Sequence, residues 1–300
     1  MNASSRRPQT LDEYRAVSNA YFSEESFRRG IAFVPRPSDV FVATYAKAGT
    51  TWMQQIVHGL RTNGSMGFGE ITEVVPWIEV AHALDIDPEA EQAANPRAFK
   101  THLSWGDVPK GGRHIVIFRE PKAIGVSMFR FMQGWFFETG AISQETYLQE
   151  FFLKRGESEN CWRNMLSWWQ VRERDDVMPL IYEDMADDLP NVVRRVAAFI
   201  GLDASEQTLA IATDQAQFDF MKTHAHHFDD HLLRDKCDVA AGLPAGGESN
   251  KVSSGQSGKE PLSEELVAMF DEAWNDLITA ETGLEDYPAF RSSIRETASV

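Results

Sequence analysis

The chain has 300 residues, room for one large domain or two small ones, and a chain of this length buries about 75% of its unfolded surface without disulfides or metals. A hydrophobic fraction of 43% and a charged fraction of 25% are ordinary globular values, which excludes wholesale disorder and fibrous repeats. Twenty-nine basic against 45 acidic side chains leave a formal charge of −16, so binding to nucleic acid or to an anionic membrane is not expected, and any anionic ligand needs a local basic pocket.

Residues 1–30 read as an N-terminal extension and 31–290 as a single domain. The stretch from Met1 to Tyr14 lacks the apolar core of a signal peptide, and the most apolar later run, Ala123 to Phe137, is short and carries Arg130. No membrane span is expected. The two cysteines, Cys161 and Cys237, lie far apart in no paired motif, which suits a reducing compartment and a cytoplasmic location.

Val40 to Tyr45 predicts a buried strand, rich in aromatic and β-branched residues, and Trp52 to Arg61 then has helical spacing. Ala98 to Thr101 is a second, shorter strand. His114 to Phe118 is a third, and Pro121 opens a helix carrying Ile124, Met128, Phe129 and Met132 on one side. Val177 to Tyr182 is a fourth, followed by the stripe Val192, Val193, Val196, Phe199 and Ile200, which stops at Gly201. Gly242 to Gly258 reads as a long Gly- and Ser-rich loop. Ser263 then caps a final helix with Leu266, Met269, Phe270, Trp274 and Leu277 towards the core. Strands alternating with helices predict an α/β domain with a parallel sheet covered by helices on both faces. Ligands of such sheets bind beyond the C-terminal strand ends, which directs attention to the loops after Tyr45, Thr101, Phe118 and Tyr182.

The loop Tyr45-Ala46-Lys47-Ala48-Gly49-Thr50-Thr51-Trp52 joins a strand to a helix in a P-loop-like arrangement that aims backbone N–H groups and a helix dipole at one point. Lys47 adds a mobile cation, Gly49 admits close main-chain approach, and Thr50 and Thr51 add hydroxyl donors. The nucleotide-triphosphatase signature is absent, because the lysine here precedes the glycine. Val40 to Thr62 and Lys100 to Arg130 together carry a charge of +6 against −22 for the remainder, so positive charge gathers near the strand ends.

Four segments resemble the cytosolic-type sulfotransferases, which move a sulfonate group from 3′-phosphoadenosine 5′-phosphosulfate (PAPS) to an acceptor hydroxyl or amine. They are Thr44 to Trp52, Lys100-Thr101-His102-Leu103, Phe118-Arg119-Glu120-Pro121-Lys122 with Ser127 eight residues after the arginine, and Tyr182-Glu183-Asp184-Met185. By that resemblance the loop from Lys47 through Ala48, Gly49, Thr50 and Thr51 to Trp52 cradles the 5′-phosphosulfate, and Lys47 neutralises the bridging oxygen. Arg119 and Ser127 match ligands of the 3′-phosphate, and Trp52, Tyr182 and Phe218 match positions near the adenine. His102 is the candidate general base, suited to take the acceptor proton, and Lys100 is placed to stabilise the transferring group. The acceptor is expected to be a small molecule. No metal is implied.

The chain also departs from the family. Ala46 and Ala48 stand where proline and serine are frequent. Gly255 and Gly258 align with the late run that grips the 3′-phosphate in animal members, but Ser253 and Ser254 occupy its basic positions, with Lys251 and Lys259 nearby. The animal dimerisation motif is not recognisable, so no dimer is implied. His224, His226, His227 and His231 match no standard zinc spacing and read as a solvated loop beside the acceptor site. Trp77, Trp105, Trp135, Phe136 and Phe137 divide between core and acceptor pocket. A kinase-like phosphotransferase and a non-catalytic nucleotide-binding module are the alternatives that remain at this point.

Overall fold

A computed structural model describes residues 6–154, 156, 160–247, 249, 251 and 261–297. Four parallel strands form one sheet: β1 (Val40–Thr44), β2 (Ala98–Thr101), β3 (Arg113–Phe118) and β4 (Val177–Ile181), in the order β2-β1-β3-β4. Every residue of β1, β2 and β4 is buried. This is why β1 and β4 read as apolar runs rather than as alternating patterns, while β2 carries the buried Lys100 and Thr101 towards its end. The alternation survives in which core each side chain joins. Phe41, Ala43, Val116 and Phe118 pack on one face, and Val40, Val42, Ile115 and Ile117 on the other. The α/β architecture with both sheet faces covered is therefore as expected.

The far end of the sheet is clamped by a buried ion pair. Arg97 donates from Nε to Asp39 Oδ1 at 2.9 Å and from Nη2 to Asp39 Oδ2 at 2.6 Å, with the two side chains 1% and 0% exposed. The residues precede β2 and β1, so the bidentate pair fixes their relative start.

Helix Thr50–Thr62 follows β1, helix Pro121–Met132 follows β3, and helix Leu189–Phe199 carries the valine stripe to Gly201, which takes the left-handed conformation (φ 79°). Three expectations need correction. The fourth strand ends at Ile181, and Tyr182 opens a helix to Asp187 with no intervening loop. Helix Glu264–Trp274, capped by Ser263 as expected, is not the last: a wider π turn over Asn275–Thr279 brings Ile278 rather than Leu277 fully into the core, and helix Tyr287–Thr297 follows. The start of the predicted long loop is tied to the core, because Leu243 is buried and its N–H donates to the Asp238 carbonyl at 2.8 Å.

Residues 1–30 were set apart as an extension, yet helices Leu11–Tyr21 and Glu24–Ile31 lie against the domain, with Tyr14 and Tyr21 buried in its larger core. Among the described residues no helix is long and apolar enough to cross a membrane.

Candidate active site

In the order β2-β1-β3-β4, the chain leaves β1 for β2 on one side and then crosses to β3 on the other. The crevice above β1 is thus the topological switch point, where open α/β sheets bind ligands. A cavity of about 980 Å³ opens there. It is lined from all four strand ends: Lys47 and Thr50 after β1, His102 after β2, Arg119 after β3, and Tyr182 after β4.

The loop after β1 bends sharply. Lys47 and Gly49 both have positive φ, 71° and 113°, and Ala48 is buried between them. Gly49 is required twice over: its φ is one that L side chains rarely adopt, and a Cβ there would come within 2.9 Å of the Tyr182 ring. Thr44 and Thr50 hydroxyls hydrogen-bond to each other across the bend. Arg119 Nη1 donates to the Lys47 carbonyl at 2.8 Å, so the arginine after β3 braces the loop. Thr50, Thr51 and Trp52 open the helix, and their N–H groups have no intrahelical acceptor.

Lys100, one residue before the end of β2, holds Nζ 4.0 Å from the Trp77 ring centroid, and Lys47 Nζ lies 4.1 Å from that of Phe131. Trp77 is placed by a segment running beside β2, where Lys100 N donates to the Pro76 carbonyl at 2.7 Å and Ile78 N to the Lys100 carbonyl at 2.9 Å. Burial lowers the Lys47 ammonium to about 7, and the nearby Lys251 ammonium adds to the shift. The same two causes bring Lys100 to about 8.

His102 is held on three sides. Its Nδ1 lies 2.8 Å from the Thr44 carbonyl, its own N–H donates to Glu79 Oε1 at 2.7 Å, and its carbonyl accepts from Asn164 Nδ2 at 3.3 Å. A carbonyl can only accept, so Nδ1 carries the hydrogen and Nε2 keeps its lone pair. Burial, followed by the Lys100 ammonium, lowers the imidazole to about 3, which keeps it neutral. Its ring meets Trp77 edge-on at 5.0 Å.

At the other end, Trp52 and Tyr182 pack edge to face at 5.5 Å, and the Trp52 indole donates to the Ala216 carbonyl at 2.8 Å. Trp52 is thus both packed and cavity-lining. Phe218, 41% exposed, and Ser127, on helix Pro121–Met132, line the same cavity. Ser253, Ser254, Gly255, Gly258 and Lys259 lie outside the described residues. Lys251 is described, and it enters the cavity paired with Asp230.

Other expectations are revised. Of the eight basic residues in the two positively charged windows, only Lys47, Lys100 and Arg119 line the cavity. Arg61 is buried against the Pro96 carbonyl, and Arg113 starts β3 at the opposite sheet end. His226, His227 and His231 lie in helical turns rather than a loop, His224 caps the preceding helix, and none of the four lines the cavity. Among the aromatics, Trp77, Trp135 and Phe136 line it, whereas Trp105 and Phe137 pack elsewhere. Tyr14 and Phe27 of the two N-terminal helices, and Phe22 between them, also line it, and sequence reasoning did not find them. Phe22 and Phe27 remain 41% and 44% exposed, and apolar positions left without a helix partner are the signal that marks them.

A sharply bent loop with N–H groups lacking an intrahelical acceptor, two lysines and a neutral histidine meet at one switch point, an arrangement suited to an anionic ligand. The sulfotransferase domain family model matches residues 37–279. Sulfotransferase 4A1 of Homo sapiens is 31% identical over 248 residues, covering 78% of this chain and 80% of that protein. Sulfotransferase 1B1 of Canis lupus familiaris is 29% identical over 202 residues, covering 63% and 68% respectively. Among solved structures, retinol dehydratase in complex with androsterone and the inactive cofactor PAP shares the fold, with a TM-score of 0.66 and 18% identity over 91% of this chain and 95% of that one. The chain belongs to the sulfotransferase family and is an enzyme of that class.

Proposed function

We propose that the protein transfers a sulfonate group from PAPS to the hydroxyl or amine of a small-molecule acceptor, with His102 as general base. The observation that carries the reading is the meeting of the Lys47 loop, Lys100, His102 and Arg119 in one cavity. The residues fit the donor: N–H groups and Lys47 for its 5′ end, Arg119 and Ser127 for the 3′-phosphate, and Trp52, Tyr182 and Phe218 for the base. The solved relative carrying PAP supports the same donor. The aromatic remainder of the cavity, from Phe22 and Trp77 to Phe136, suits an apolar acceptor body.

In the proposed step the acceptor oxygen forms a bond to sulfur as the bond from sulfur to the bridging oxygen breaks. The electron pair remains on the nucleotide phosphate, where Lys47 meets the growing charge. His102 Nε2 takes the acceptor proton, and the bond from Nδ1 to Thr44 keeps the ring aimed and the tautomer correct.

Incubation with sulfur-labelled PAPS and a panel of phenols, alcohols and amines is expected to label at least one acceptor, alongside calorimetric binding of adenosine 3′,5′-bisphosphate. Absence of bisphosphate binding refutes the donor assignment. Binding without transfer to any acceptor supports a non-catalytic module.

A further inference from the structure

Lys251 is the cavity's fourth basic residue among those described, and it comes from a part of the chain far from the strand ends. Its Nζ forms an ion pair with Asp230 Oδ1, and the two side chains are 10% and 5% exposed. The pair is built into the fold. Asp230 takes a left-handed conformation (φ 58°) at the head of helix His231–Cys237, an expensive state for a residue with a Cβ. The segment bearing Lys251 is pinned beside it: the Ser249 hydroxyl donates to the Asp229 carbonyl, and Lys251 N–H donates to the Ser249 carbonyl at 2.9 Å.

We propose that Lys251 is a third lysine at the transfer end of the site, binding the sulfonyl oxygens of the donor together with Lys100 while Lys47 meets the bridging oxygen. This rests on the donor assignment above. Its basis is charge and position. Lys47, Lys100 and Lys251 line one cavity in which Asp230 is the carboxylate paired with a lysine. Glu79, the neighbouring buried acid, is pushed upwards by its burial, towards its neutral form. Glu70, fully buried and close enough to act on Lys100, is likewise pushed upwards by its burial, so the lysines are balanced chiefly by Asp230 until an anion enters, and the donor's sulfonate and 5′-phosphate supply that charge. Lys251 shares one cavity wall with Lys47 and Lys100, and its ammonium contributes to the lowering of both, in keeping with a place near them. It also acts on His102, at the point where the acceptor must attack. A lysine replacing the missing basic pair of the 3′-phosphate grip would instead belong with Arg119 and Ser127.

PAPS and adenosine 3′,5′-bisphosphate differ by the sulfonate, so their affinities separate the two placements. In the full-length protein, Lys251→Met is expected to weaken PAPS binding about tenfold and to leave bisphosphate binding within about twofold of wild type. Lys251→Arg, which keeps the charge, is expected to recover most of the PAPS affinity. Intact bisphosphate binding also shows that the variant is folded. Equal weakening towards both ligands, or no change towards either, overturns the proposal. If the unaltered protein binds neither nucleotide, the donor assignment fails rather than the role of Lys251.

Discussion

His102 Nδ1 sits 2.8 Å from the main-chain carbonyl of Thr44, so the last residue of the central strand sets the tautomer of the side chain that follows its neighbour. The contact joins residues 58 positions apart. It leaves Nε2 as the only ring atom able to take a proton, and it explains how a half-buried, uncharged imidazole is oriented without a carboxylate partner.

Substituting His102 by alanine removes the proposed proton acceptor while leaving Lys47, Gly49 and Thr50 in place. Turnover is expected to fall about 10²–10⁴-fold, with bisphosphate affinity within about twofold of wild type. Steady-state kinetics and calorimetry check this together. A matched loss of donor affinity contradicts the division of labour.

Binding of adenosine 3′,5′-bisphosphate is expected to take up protons. Lys47 at about 7 and Lys100 at about 8 are charged below those values and neutral above them, and a bound phosphate anion raises both. Affinity is therefore greatest below about pH 7 and falls as pH rises past 8. Calorimetry at pH 8 in two buffers of different ionisation enthalpy is expected to show net uptake of about one proton. Lys47→Ala diminishes that uptake and weakens both binding and turnover.

Gly49→Ala forces a Cβ into a backbone with φ 113° and against the Tyr182 ring. The strain costs about 1–2 kcal/mol. Because the loop relieves it by moving, bisphosphate affinity is expected to drop about ten- to a hundredfold. Wild-type affinity in this variant removes the argument that the bend is shaped for an anion.

Arg97→Ala leaves Asp39 as an unpaired carboxylate that is 0% exposed. Unfolding in denaturant is expected to show a loss of about 3–5 kcal/mol. The pair lies at the sheet end opposite the cavity, so any variant that still folds keeps its bisphosphate affinity.

Strands β1 and β4 and the apolar part of β3 were legible because strands buried on both faces are written as apolar runs, and the loop from Lys47 to Trp52 because its lysine, glycine and threonines are adjacent in the chain. Ile278 in place of Leu277 was not legible, since a π turn changes the helical period without a local mark. Arg61 and Arg113 were credited to the pocket because a charge count along the chain ignores which end of an element a side chain occupies.

From its own residues the chain determines the α/β class and the glycine-bearing strand-to-helix loop from Tyr45 to Trp52, whereas His102 stood out only through the family resemblance and its neutral state through burial in the fold. The class and the loop follow from periodicity and from groups a few bonds apart. Only the tertiary structure decides that Thr44 orients His102, that Arg119 braces Lys47, and that Phe22, Asp230 and Lys251 close the same cavity. Those contacts depend on strand order and on where distant helices pack, and no local pattern encodes a distance between segments brought together by burial of a shared core.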